Sequence, residues 1–466
     1  MKKYDFVVLG AGIAGLAFAK KISEKGSSIL MLEKEKQIGG LSRTIKHNGF
    51  YLDFCAHRFH TKNEELLKEI TSLPNLKLYK HTKRSRIYMF NKYLKYPFEI
   101  QNLLAAMPPH KSVLSGTSFL MNSIKKKFKK PRIISYKDWF VYFYGKQLYN
   151  VMCYPYTSKI WHMDPGKISV DWADQRFPKE GLRRLIKKII KKIITLDFSS
   201  YKLEDDELAP DGGMFYYPLR GIQELSDSLA RVSIKNRAEI LCSTEITGIS
   251  TKDKIIYYTL NKKKYSAKYD KLISTIPLHD FYKLQDRKDP KVESSLKKLG
   301  YMDIIFVYLF LDRKNVSKDS WLYFPDKNII FNRAVEFSNW SPKMCPEGKT
   351  SICFDITTYE GDKIWNMSDD KLSEKTISDA KRINYIDKKD KVSSYVFRLK
   401  NAYPVYDLDY KKKLNAIVKF LESDSLFLLG RTGIFRYNNL DNSVEMGFKL
   451  AENFIEGKDP KSIYEY

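Results

Sequence analysis

Cysteine is scarce in this chain: Cys55, Cys153, Cys242, Cys345 and Cys353 are spread over 466 positions, with no C-x-x-C pair among them. An odd, widely spaced set excludes a disulfide framework and a zinc ribbon; no metal site is expected, and a reduced cytoplasm is the expected compartment. Long apolar runs are missing as well, and none approaches the ~20 residues that a helix needs to cross a bilayer. The first strand is expected within about four residues of Met1, leaving no room for a cleaved leader. Acidic residues are outnumbered, 55 against 82 lysines and arginines, for a net charge of +27 and a pI near 9.5. That surplus suits nucleic acid, an anionic membrane surface or a polyanionic substrate. The basic residues are scattered through the whole chain, as a generally lysine-rich composition also produces, and no RNA- or DNA-binding motif accompanies them. No nucleic-acid partner is expected.

What is present begins at residues 4–15, YDFVVLGAGIAG, a short apolar strand running into Gly10, Gly12 and Gly15. In G-x-G-x-x-G the first glycine permits the tight turn and the second lets a pyrophosphate approach the backbone. The third lets the following helix pack on the strand, with the phosphates at its positive N-terminus. Residues 27–32 read as a second strand ending in Glu33, where a carboxylate holds an adenosine ribose. The diglycine Gly39-Gly40 and Arg43 follow, and here the chain resembles the FAD-binding amine oxidase and protoporphyrinogen oxidase superfamily. The resemblance implies FAD as cofactor, with Arg43 against its pyrophosphate or flavin edge.

The length and a hydrophobic share of 43% suit several cores. The expected fold class is α/β: a Rossmann-type FAD-binding domain, a helical insertion and an antiparallel β-sheet domain. The expected boundaries are 1–95, 204–280 and 416–466 for the cofactor domain, 96–203 for the insertion, and 281–415 for the sheet that walls off the flavin. Within the insertion, residues 182–196 (LRRLIKKIIKKIITL) place seven apolar residues at i, i+3, i+4, i+7, i+8, i+11 and i+12, opposite six cations. Such a helix lies on an anionic membrane, at about 1 kcal/mol per cation, or packs its isoleucine face on protein. Both readings stand at this point.

Four further segments narrow the family. Residues 55–61 (CAHRFHT), 156–161 (YTSKIW), 331–342 (FNRAVEFSNWSP) and 430–441 (GRTGIFRYNNLD) resemble, in order, motifs of the UDP-galactopyranose mutase family. The resemblance implies isomerisation of a nucleotide-diphosphate sugar between pyranose and furanose, UDP-galactose being the default. Reduced flavin N5 serves as nucleophile at the anomeric carbon, and there is no net redox change. It further implies Arg176 and Arg333 as guanidinium forks on the diphosphate and Tyr437 as a hydroxyl donor to it. Tyr156 and Trp161 become aromatic faces for base and sugar, His60 a group beside the flavin, and Gly430, Arg431, Gly433 and Asp441 further contacts of FAD. Tyr156 and Trp161 equally suit a core, and His57 suits a structural role. Cys55 stands where the bacterial pattern has glycine, so the loop is expected to run differently past the flavin. Arg220 adds a charge near the presumed cleft. A cytoplasmic enzyme, or one peripheral at the inner face of the membrane, supplying a cell-surface glycan pathway is the leading expectation; a homodimer is left open. The alternatives are an FAD oxidase or desaturase of the amine oxidase type at the membrane, and a non-catalytic flavin-fold adaptor.

Overall fold

The computed structural model describes residues 1–96, 103, 106–128, 131–176 and 213–464. The strand Lys2–Leu9 runs parallel to Ile29–Leu32 on one side and to Lys263–Ser274 on the other. Glu239–Leu241 and Leu426–Leu428 extend this parallel core, and Thr244–Ser250 with Ile255–Leu260 add an antiparallel edge. All four residues of Ile29–Leu32 are buried, as expected for a strand covered on both faces. The crossover helix Ile13–Ser23 packs on Leu440–Glu456 near Gly447. A Cβ there would stand 2.4 Å from the Ala14 carbonyl and 2.9 Å from Ala17 Cβ, so glycine sets the approach of the two helices.

A second sheet carries, in order, Val392–Pro404, Tyr301–Leu311, Thr350–Thr358, Arg333–Glu336, Trp321–Tyr323, Ser85–Met89 and Lys92–Tyr96. Its neighbours are antiparallel except Trp321–Tyr323 and Ser85–Met89, which run parallel. Here the structure corrects the expected boundary at residue 95. Ser85–Met89 lies before that residue and Lys92–Tyr96 runs across it, yet both belong to this second sheet, because Ser85, Arg86 and Ile87 lie in register with Trp321, Leu322 and Tyr323. The described part of the insertion is helical at Pro109–Phe128, Tyr136–Tyr144, Tyr154–Trp161 and Asp171–Arg176. Ser135 and Asp138 close a reciprocal capping box at the start of the second of these. Residues 182–196 lie outside the described residues. Among the described residues no helix is long and apolar enough to cross a membrane.

One buried carboxylate ties the layers together. Asp53 accepts from Thr44 Oγ1 at 2.6 Å, Tyr217 Oη at 2.5 Å and the Ile222 amide at 3.2 Å. Gly221 takes φ +96° beside it, and a Cβ there would stand 2.3 Å from Thr44 Oγ1. Complete burial pushes the Asp53 carboxyl up to about 7, against the hydrogen bonds that hold it down. The folded state therefore holds this proton where the unfolded chain has released it, and stability falls as pH rises from about 4 to about 7. Asp53→Asn is expected to remove about 2–3 kcal/mol of that dependence between pH 5 and pH 7, as urea unfolding of both proteins at the two pH values would show.

Candidate active site

The strand Lys2–Leu9 ends in a turn whose glycines have different reasons to be there. Gly10 has φ +87°, and a Cβ would meet Thr275 Oγ1 at 2.5 Å; on Gly15 a Cβ would stand 2.8 Å from the Gly10 carbonyl. Gly12 is unlike both: its φ of −72° suits any residue, and a Cβ would meet nothing within 4 Å. The protein thus leaves open the one position at the N-terminus of Ile13–Ser23 where a diphosphate would approach, a cradle that a side chain would fill. Beside it, Glu33 accepts from the amides of Ala11 and Glu35 at 2.8 and 2.9 Å, which aims its carboxylate at the cleft edge. Gly39 and Gly40, both at positive φ, pass directly over this turn: the Gly39 amide donates to the Ala11 carbonyl at 2.8 Å. Arg43 is held by the Gly40 carbonyl at 2.9 Å and Glu35 at 3.2 Å, above the Phe54 ring. From the far end of the chain, Gly430 takes φ +75° with its Cβ position 3.1 Å from Ala14. A Cβ on Gly433 would stand 2.6 Å from the Ser274 carbonyl.

These elements bound a cleft of about 1050 Å³ whose opposite wall is Phe397–Lys400 of the second sheet. Gly10, Gly12, Glu33, Gly39, Gly40, Arg43, Gly430 and Arg431 line it; Gly15 and Gly433 pack behind. Asp441 sits in the first turn of Leu440–Glu456, next to lining residues Asn439 and Leu440 but not on the wall. Burial pushes its carboxyl up to about 6, although Arg58 pulls it down. The chain's distribution of glycines, small side chains and one ribose-level carboxylate fits an adenine dinucleotide, and the site would hold FAD with its diphosphate at Gly12.

Beyond His57 on the cleft wall lies a polar cluster drawn from strands of the second sheet and from the loops beside it. Arg333 donates through Nε at 2.8 Å and Nη2 at 2.6 Å to Asp355 Oδ2, which also receives Cys55 Sγ at 3.4 Å. Asp355 Oδ1 is buried without a partner. Arg431 donates twice to the Asn438 carbonyl, at 3.1 and 2.5 Å, and its guanidinium lies over the rings of Tyr403 and Tyr437, 5.1 and 5.4 Å away. Tyr437 also meets Trp172 edge-on at 4.7 Å. Burial, then Arg431 and Arg333, push the His57 imidazole down to about 3, so it is neutral at physiological pH. Burial raises the Tyr403 phenol, while Arg333 and Arg431 oppose the rise.

The sequence-derived residues are thus distributed unevenly. Arg333 and Tyr437 gather around Tyr403 and Arg431, with Tyr156 beside Arg333, and none of Arg333, Tyr437 and Tyr156 is among the residues lining the cleft. His60 donates through Nδ1 to the Met214 carbonyl at 2.8 Å; His57, not His60, stands on the cleft wall. Trp161 is 3% exposed and packs edge-on against Trp172 at 4.8 Å, a core position. Arg176 ends the short helix Asp171–Arg176, and its side chain lies outside the described residues. Arg220 is exposed and does not line the cleft. The expected diversion of the loop at Cys55 is corrected. Cys55 adopts φ +61°, a glycine-type conformation, held by its amide to the Asp53 carbonyl at 2.8 Å and by its thiol to Asp355. Such a backbone costs roughly 1–3 kcal/mol.

Asp355, Tyr403 and Lys159 were not singled out from sequence. Asp355 had a signal, a lone acid inside the otherwise apolar and hydroxylated strand Thr350–Thr358; Tyr403 had none. Lys159 lies between Tyr156 and Trp161 and donates to the carbonyls of Phe324 at 2.7 Å and Phe331 at 2.6 Å, tying the Tyr156 helix to the hairpin that carries Arg333. Burial pushes its ammonium down to about 7. Lys159→Met would orphan both carbonyls. A loss of about 2–4 kcal/mol in unfolding free energy is expected, with Lys159→Arg recovering only part of it.

The comparisons with known proteins agree with this geometry. The family described as flavin containing amine oxidoreductase matches residues 13–411. UDP-galactopyranose mutase of Mycoplasma pneumoniae is 27% identical over 213 residues, covering 41% of this chain and 52% of that protein, so the match spans about half the length of this curated relative. Protoporphyrinogen oxidase 2 of Arabidopsis thaliana is 22% identical over 492 residues, covering 96% of this chain and 93% of that one. A crystal structure of reduced UDP-galactopyranose mutase has the same fold, with a TM-score of 0.84 at 20% identity over 99% of this chain and 98% of the other. A glycine cradle built for a dinucleotide diphosphate, inside a fold and a sequence match of this extent, makes the chain a member of the flavin containing amine oxidoreductase family, with FAD as its cofactor.

Proposed function

We propose that this protein is a mutase that interconverts the pyranose and furanose forms of a nucleotide-diphosphate hexose, UDP-galactose being the first candidate. The observation that carries this reading is the meeting of two guanidiniums, Arg333 and Arg431, with the phenols of Tyr403, Tyr437 and Tyr156 beside His57, around a single carboxylate, Asp355. A leaving diphosphate that must be held and then returned needs fixed positive donors, and an oxidase of small neutral substrates does not. Bound reduced FAD would supply the nucleophile at the anomeric carbon. Asp355 orients the Arg333 fork, Tyr437 offers a hydroxyl to the departing phosphate, and neutral His57 offers an unpaired Nδ1 toward the sugar. Arg176 and His60 are proposed as a second phosphate contact and a flavin-side group. The activity is placed at the cytoplasmic side, feeding a cell-surface glycan.

The test is anaerobic: dithionite-reduced and oxidised protein are each incubated with UDP-galactose or UDP-galactofuranose, and products are separated by anion exchange. Conversion by the reduced form alone, without net consumption of reductant, is expected. The similarity to protoporphyrinogen oxidase across nearly the whole chain favours a second reading, an oxidase or desaturase. Oxygen uptake with a lipidic or amine substrate, and no spectral response of the flavin to any UDP-sugar, would establish that one instead.

A further inference from the structure

The helix Pro109–Phe128 packs one face on the protein and carries a row of apolar residues on the opposite one. Its inner face packs on the following helix: Ser115 and Phe119 are buried, Asn122 Nδ2 donates to the Tyr142 carbonyl at 2.8 Å, and Lys126 Nζ to the Phe143 carbonyl at 3.2 Å. On the outer face stand Val113, Leu114, Met121 and Ile124, exposed by 66, 50, 58 and 58%. At 100° per residue these four fall within one ~100° arc. Thr117, which shares that arc with the exposed His110, turns its hydroxyl back to the Val113 and Leu114 carbonyls, each at 3.1 Å, and offers solvent mainly its methyl group. Ile134, 47% exposed, follows the helix. Scattered apolar side chains on a surface need no explanation, but a contiguous row opposite a packed face does.

The charges along this stretch of the sequence share one sign. Between Glu99 and Asp138 the chain holds eight lysines and arginines and no acidic residue. The same insertion contains the basic amphipathic sequence at 182–196.

We propose that the outer face of Pro109–Phe128 docks on the surface of an anionic phospholipid bilayer. Its apolar row enters the headgroup boundary, and the flanking cations meet lipid phosphates. The chemistry disfavours the other occupants of such a face. A second copy would bring an equally positive surface against this one across a two-fold axis, which like-charge repulsion opposes. Nucleic acid would satisfy the cations but leave the aliphatic row in contact with phosphates and water. This inference is independent of the reaction proposed above.

The test uses the full-length, flavin-loaded protein and sedimentation with vesicles of phosphatidylcholine alone or with about a third phosphatidylglycerol. Binding is expected only to the anionic vesicles, and raising salt from about 0.1 to about 0.5 M should release the protein. Val113→Asp with Ile124→Asp should lower partitioning by about tenfold or more, with flavin absorbance and melting temperature unchanged. Leu114→Ser with Met121→Ser, which adds no charge, should lower it less but measurably. Absence of binding to anionic vesicles would overturn the proposal, as would binding insensitive to both double variants. So would a dimer in vesicle-free buffer that the same variants dissociate, since the face would then belong to a second copy.

Discussion

Arg333→Ala is expected to lower turnover of the nucleotide sugar by about a thousandfold, the scale seen when a preorganised donor to developing negative charge is removed. The substitution also strands Asp355, whose side chain is only 7% exposed and whose other oxygen already lacks a partner. A buried carboxylate left without its cation costs roughly 3–5 kcal/mol, so loss of activity alone would not separate chemistry from folding. The double variant Arg333→Ala with Asp355→Asn removes the stranded charge. It is expected to recover most of the melting temperature and none of the turnover. If activity returned together with stability, Arg333 would be only the counter-ion of Asp355. Arg333→Lys should keep part of the ion pair but lose the fork, with an intermediate rate, because an ammonium cannot donate bidentately.

Gly12→Val is expected to yield a folded, colourless protein with FAD affinity lowered by about a hundredfold or more. Gly12 has an unstrained backbone and no protein atom within reach of a Cβ, so the fold loses nothing by the change; the added methyls occupy the space into which the diphosphate fits. Gly447→Val is the contrast. There the Cβ would meet the Ala14 carbonyl and Ala17 inside the helix pair, and the expected result is a fall in stability of ~3 kcal/mol or more before cofactor is added. Absorbance at 450 nm after reconstitution, set beside apoprotein unfolding, distinguishes the two. A Gly12 variant that binds FAD normally would remove the diphosphate from that turn.

The cofactor end was legible from sequence because its parts are contiguous. Strand, glycine turn, helix and Glu33 occupy fewer than forty positions, and the reason for each glycine is local backbone geometry. The families were legible because several short segments occur in order, and Arg333, Tyr437 and Tyr156 do assemble near one another. Sheet membership of Ser85–Met89 was not legible. A short alternating strand has no preference between two sheets until the register of Trp321–Tyr323 provides its partner. Trp161 could be read equally as a substrate platform or as core, and only its burial against Trp172 decided. The environment of Arg333 was also decided in three dimensions. Asp355 and Tyr403 come from two strands of the second sheet, Arg431 from a short helix and His57 from a loop, and Lys159 anchors the hairpin through backbone carbonyls that carry no sequence signal. Spacing thus determined a dinucleotide turn and the fold class, and the resemblance of short segments implied FAD and the chemical type of the site's side chains. Which of those side chains share one low-dielectric cluster, and how far burial moves their protons, depends on contacts between residues hundreds of positions apart, which only the folded chain brings together.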